Sequence, residues 1–190
     1  SEIQLSNTTR DMFHYIGTSG TQNAKLVILI DKDTFANSTN CQSLFQYSYQ
    51  GIYLKNKDNK ICVGGSMQTA FQYAYVKFLD VNNTEIKELT FEAKNSISFQ
   101  GAFSNCYTPL ERLNFINGDN ITNYSGMLTN MYSMKSVTGL DFSSIDGNTN
   151  GNMFNTSGST YFDSFGELGF VNGSTFKSNR SVNFNISRND

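Results

Sequence analysis

MLTNMYSMKSVTGLDFSSID, residues 127–146, carries features that recur along this chain at nearly even spacing. Within it, Val137, Leu140 and Phe142 follow a pattern of apolar, two others, apolar, one other, apolar, which suits a short strand entered from a turn. The same pattern stands at Tyr49, Ile52 and Leu54, at Val76, Leu79 and Val81, at Leu110, Leu113 and Phe115, and at Phe165, Leu168 and Phe170. The last apolar residues of these five copies lie 27, 34, 27 and 28 residues apart, a spacing of the kind that marks solenoid repeats.

A second landmark keeps the same rhythm. Apolar pairs stand at Leu44 and Phe45, Ala70 and Phe71, Ala102 and Phe103, Met127 and Leu128, and Met153 and Phe154, their second members 26, 32, 25 and 26 residues apart. Segments such as QSLFQYS, MQTAFQYA and QGAFSNC have the length of one or two helical turns, too short to be stable without packing. In the longer interval, KELTFEAKNSISF alternates apolar and polar residues and reads as an extra strand, on an outer layer or as a local insertion.

Composition agrees with strands and turns. The chain has 190 residues with 16 Phe, 10 Tyr, 15 Gly and 1 Pro, and Asn, Ser and Thr stand between its apolar positions. Asn and Ser compete with the helix backbone, whereas aromatics suit pleated surfaces. A formal charge of −2 offers no basic footprint for nucleic acid. The longest apolar run, Leu26 to Ile30, is read as the first strand and is far too short to cross a bilayer. Cys41, Cys62 and Cys106 lack zinc or redox spacing and read as small buried residues, a disulfide between two of them being the alternative.

The motifs AFSNC, LERLNF, VTGLDFSSID, ITNYSGML and NTNGNMF resemble the BspA-like leucine-rich repeats of bacterial surface proteins, in their Asn- and Met-rich variant. The resemblance is best from about Ala102 to Phe170, weaker from Leu44 to Val81, and departs from the pattern at Ile86 to Ser98 and at both termini. It implies an α/β repeat: a leucine-rich-repeat-type solenoid with one curved parallel β-sheet and short helical turns or irregular segments on the convex side. Residues 1–190 would form a single solenoid of about six repeats, a fragment of a longer chain, with partial repeats at 1–25 and 171–190. The implied role is non-enzymatic recognition outside the cell, of a surface protein or glycan of a host or neighbouring cell. The alternative is a bacteriophage tail-fibre or baseplate component, the one setting in which an oligomer is expected.

Strand alternation then defines a candidate concave face. It places Tyr53 and Phe78 as aromatic contacts and Asp80, Arg112, Asn114 and Asp141 as polar ones. Catalytic and cofactor constellations do not assemble. His14 stands alone between Phe13 and Tyr15 and reads as packing; Asp31 and Asp33 lack the glycine and terminal glutamate of a calcium loop; the glycine pair of CVGGSMQ lacks the lysine of a phosphate loop and reads as a turn. The expectation is therefore no metal, no cofactor, no nucleic acid and no membrane insertion.

Overall fold

The computed structural model describes residues 6–17, 27–95, 97–131, 133–134 and 136–140. The chain winds as a parallel β-solenoid. Its strands are β1 (Ser6–Thr8), β2 (Val27–Ile30), β3 (Asn37–Asn40), β4 (Gly51–Leu54), β5 (Lys60–Val63), β6 (Lys77–Leu79), β7 (Glu88–Ala93), β8 (Ile97–Ser98), β9 (Arg112–Gly118), β10 (Ile121–Asn123) and β11 (Ser136–Leu140). They stack along three sides of the coil. The first side holds the pairs β1-β3 and β8-β10, the second holds β2-β4-β6, and the third holds β5-β7-β9-β11, with every pair parallel. On the first side the chain passes the same line at Thr8, Asn40, Ser66, Ser98 and Asn123, which gives about five coils.

No helix occurs among the described residues, and the expected helical turns are a different structure. In QSLFQYS the amides of Leu44, Gln46 and Ser48 close successive four-residue turns onto Cys41, Ser43 and Phe45. The alternate amides of Ser43, Phe45 and Tyr47 instead donate to Gln68, Ala70 and Gln72 of the next coil. Every amide in the run thereby finds a partner, as buried backbone requires. The geometry depends on left-handed residues: Ser43 and Tyr47 have φ of 54° and 55°, and their counterparts Thr69 and Tyr73 have 53° and 55°. A left-handed residue at every fourth position cannot continue a right-handed helix.

The core is a column of rings inside these turns. Phe13, Phe45, Phe71 and Phe103 stack face to face at 5.0, 5.2 and 5.0 Å, and Leu128 follows Phe103 in the same register. Phe78 packs edge-on against Phe71 and Phe91 against Phe103, and Phe99 meets Phe91 and Phe115 edge-on in the next layer. Each buried ring contributes about 1.5–3 kcal/mol from area alone, and successive coils add such contributions, as in other one-dimensional stacks. The described part of the apolar-pair rhythm is thus this ring column, Met153 and Phe154 lying outside the described residues.

The strand rhythm is partly displaced. Ile52 stacks on Phe78 rather than Leu79, and Leu113 on Val137 rather than Leu140. Moreover, Leu54 belongs to the second side and Phe115 to the third, so the recurring pattern joined residues from different sheets. Phe142, the copy from Phe165 to Phe170 and the terminal partial repeat at 171–190 lie outside the described residues. The coils are shorter than the pattern's step of 27: Ile52 to Phe78 is 26 residues and Leu113 to Val137 is 24. After β6 the chain doubles back: the Asp80 amide donates to Thr84, the Ile86 amide donates to Phe78, and Leu79 bridges Glu85 antiparallel. This return caps the open edge of β6, where an unpaired row of backbone groups would otherwise stand. It also accounts for the longer interval, while β7, expected as an outer or inserted strand, is a core strand with Leu89 and Phe91 fully buried.

Smaller expectations divide the same way. The pair Gly64 and Gly65 is held by crowding between coils, since a Cβ at either would lie 2.2 Å from the Ala36 carbonyl oxygen or 2.1 Å from the Thr39 carbonyl carbon. All three cysteines are free and buried. Val27 and Leu29 of the first expected strand, by contrast, face outward and are more than half exposed.

Candidate binding face: tyrosine ladders and an adjoining cleft

From Phe71 to Leu79 the chain alternates almost strictly. Phe71, Ala74, Val76 and Phe78 are buried, while Tyr73, Tyr75, Lys77 and Leu79 are half-buried or exposed. One coil earlier, Ser48, Gln50, Ile52 and Leu54 point in, and Tyr47, Tyr49 and Tyr53 point out. Stacking of the coils turns these outward tyrosines into ladders along the solenoid. Tyr15, Tyr47 and Tyr73 stack at 4.9 and 5.0 Å with planes within 5°, and His14 packs against Tyr15 at 4.2 Å and Tyr47 at 6.0 Å. Two residues on, Tyr49, Tyr75 and Tyr107 stack at 4.6 and 4.2 Å. Beyond them on the second sheet lies an apolar column of Leu29, Tyr53 and Leu79.

The first ladder has an unusual backbone. Tyr15, Tyr47 and Tyr73 all sit at left-handed φ, from 55° to 57°. The fourth and fifth coils place Asn105 and Asn130 at the same point, with φ of 53° and 56° and the Asn130 side-chain amide donating to Asn105 at 2.9 Å. Asn is among the few residues that adopt this conformation readily, while a bulky ring there costs about 1 kcal/mol more. Backbone strain alone therefore favours Asn at all five positions, yet three coils carry Tyr and hold it by ring stacking.

The phenols are tuned by their setting. Tyr47 is held above the ordinary phenol range by burial first and then by its neighbours Tyr15 and Tyr73. Burial likewise raises Tyr75, which also hydrogen-bonds the Tyr107 phenol. Both remain neutral hydroxyls that donate and accept.

At the end of the second ladder a cleft of about 410 Å³ opens, lined by Tyr75, Lys77, Glu85, Cys106, Tyr107, Thr108, Pro109 and Ser133. Its origin is local. The Tyr107 amide still donates to Ala74, but Pro109 has no amide to offer, and the chain next bonds through Glu111 and Arg112 to Lys87 of the third side. A fourth strand beside β6 is thus replaced by the folded-back loop and the cleft. Lys77 and Glu85 form an ion pair at 3.4 Å on one wall. Thr108 Oγ1 is buried without a hydrogen-bond partner among the described residues, and Ser133 donates to the Thr108 carbonyl. Burial pushes the Cys106 thiol up to about 12, which keeps it protonated and unreactive.

The expected concave-face residues do not share one surface. Tyr53 does face outward, its hydroxyl donating to the Val81 carbonyl at 2.6 Å. Phe78 is fully buried in the core, because β6 is shifted by one residue from its expected register. Asp80 ties the returning loop, accepting hydrogen bonds from the Asn82 and Thr84 amides. Arg112 and Asn114 lie on the third side, where Asn114 donates to Glu88 and accepts from Thr138. Asp141 lies outside the described residues. The missed signal was the repeated Tyr, one other, Tyr at 47–49 and 73–75, which marks outward positions beside the ring column.

A second polar cluster occupies the third side. Lys60 and Lys94 pair with Glu92, which is thereby held down to about 2, and Cys62 lies beneath them with its thiol raised to about 12 by burial and by that carboxylate. The Lys60 and Glu92 side chains are only 22% and 14% exposed, which leaves less of this cluster open to a partner than the tyrosine face offers. Among the described residues no group of acidic, His and Cys side chains is arranged to hold a metal ion. The fold places the chain among parallel β-solenoids. Comparison with family models, with curated proteins and with solved structures found no match.

Proposed function

We propose that the chain is a non-enzymatic recognition module that binds a surface protein or glycan of another cell through its tyrosine face. The observation that carries this reading is the left-handed tyrosine column. Three coils accept a strained ring where two others use Asn, and such strain persists where the surrounding structure enforces it and function uses it. Tyrosines are rigid and amphipathic, and contribute contact area with little loss of side-chain freedom. Stacked into ladders, they present ring edges and hydroxyls at a regular spacing rather than isolated faces. A long, shallow contact along the solenoid suits that surface. The BspA-like resemblance supports the same role and an extracellular setting.

The test is saturable binding of the labelled full chain to intact microbial and epithelial cells, beside a Tyr15→Asn, Tyr47→Asn, Tyr73→Asn triple variant. The parent should bind and the variant should lose at least about tenfold in affinity, or 1.4 kcal/mol, while its melting temperature stays within about 4 °C of the parent's. A well-folded parent that binds no cell surface would reject the reading.

A further inference from the structure

We infer that the cleft between β6 and residues 106–109 binds a neutral saccharide ring, which rests on the recognition role and names the chemistry that gives it selectivity. Lys77 Nζ and Glu85 Oε2 stand 3.4 Å apart on the cleft wall, with side chains 40% and 37% exposed. A carboxylate ligand drawn to Lys77 would meet Glu85, and an ammonium drawn to Glu85 would meet Lys77. A hydroxyl suffers neither repulsion, since it accepts from the ammonium and donates to the carboxylate. Two neighbouring hydroxyls on a ring can engage both charges without separating them.

The other walls match the rest of such a ring. Tyr75 and Tyr107 contribute ring carbons, Tyr107 being half exposed, and Pro109 adds an apolar surface against which the C–H groups of a sugar pack. Thr108 Oγ1, buried in the same wall, has no hydrogen-bond partner among the described residues. The Tyr75 phenol is a neutral donor and acceptor in the same cleft. The volume, about 410 Å³, falls within the range of small-molecule sites. The mixture of apolar wall, hydroxyls and a self-neutralised charge pair selects an uncharged polyol over an anion, a cation or a wholly apolar group.

The experiment uses the full chain on a glycan array, followed by titration calorimetry with a neutral hexose series, a hexuronic acid and an amino sugar. Glu85→Gln and Lys77→Gln are the probes, because an exposed ion pair adds little to stability and both variants should fold. The parent should bind neutral saccharides and discriminate against both charged ones. Glu85→Gln should weaken neutral binding about tenfold and improve the hexuronic acid relative to it, since Lys77 is then unopposed. Lys77→Gln should shift preference toward the amino sugar. Neutral binding unchanged in both variants would overturn the inference by placing the sugar elsewhere. Cell binding that depends on the tyrosine ladder, with no saccharide bound by the parent, would overturn it while leaving the recognition role intact. Absence of both would overturn both.

Discussion

Two ring columns run side by side through this molecule, two residues apart on the same turns. Phe13, Phe45, Phe71 and Phe103 stack inside at 5.0–5.2 Å; Tyr15, Tyr47 and Tyr73 stack outside at 4.9–5.0 Å. Their spacing is set by the same inter-coil hydrogen bonds, yet their energetic weight differs. The inner rings of the second to fourth coils are at most 1% exposed, and that column stays apolar through Leu128 in the fifth coil. The outer column reaches 66% exposure at Tyr15 and changes to Asn in the fourth coil. One geometry therefore serves two ends: the inner stack holds the coils together, and the outer stack displays a surface.

Breaking the inner column should have the largest effect. Phe71 is stacked on both sides, by Phe45 and Phe103, and meets Phe78 edge-on, so Phe71→Ala leaves a cavity that no neighbour can fill by a small shift. The expected loss is about 3–5 kcal/mol in chemical denaturation. A loss below about 1 kcal/mol would mean that the column is not what joins the coils.

The columns also separate by pH. Phenylalanine does not titrate, whereas Tyr47 and Tyr75 hold their protons more tightly in the folded chain than the usual phenol value of 10.0. Their contribution to stability is fully present below about pH 10 and is lost as pH rises through the folded values. Thermal melts should therefore fall above pH 10, and a Tyr47→Phe, Tyr75→Phe double variant should fall less steeply. Identical slopes would show that the outer phenols do not feel their burial and their neighbours.

The ring column was legible because its spacing is carried by large apolar residues with small or apolar neighbours, as in SLF, TAF and GAF. The sheet register was less so. The loop between β4 and β5 spans residues 55–59, that between β6 and β7 spans 80–87, and the fourth coil passes from Pro109 to β9 without a second-side strand. Equal distances along the chain then correspond to different sides of the coil, and a pattern of three apolar residues fits either. A one-residue slip was enough to exchange buried Phe78 for half-buried Leu79. Left-handed turns were hidden for another reason: Tyr and Thr do not announce that conformation as Gly and Asn do. The cleft depended on a backbone return capping β6, a tertiary event with no local pattern beyond one proline.

The smallest effect should come from the outer column, and its sign carries the most information. Tyr73→Asn removes stacking on Tyr47, worth about 0.5–1.5 kcal/mol for such a pair. It also relieves about 1 kcal/mol of left-handed strain and places a side-chain amide beside Asn105, which already accepts an amide hydrogen bond from Asn130. These effects nearly cancel, so stability should change by less than about 1 kcal/mol in either direction while binding to the cell surface weakens. A destabilisation approaching that of Phe71→Ala would mean that the outer rings are a second core, and the contrast between display and cohesion would fail. Near-neutral stability with weakened binding would mean that three coils accept a strained ring for what it touches outside the molecule.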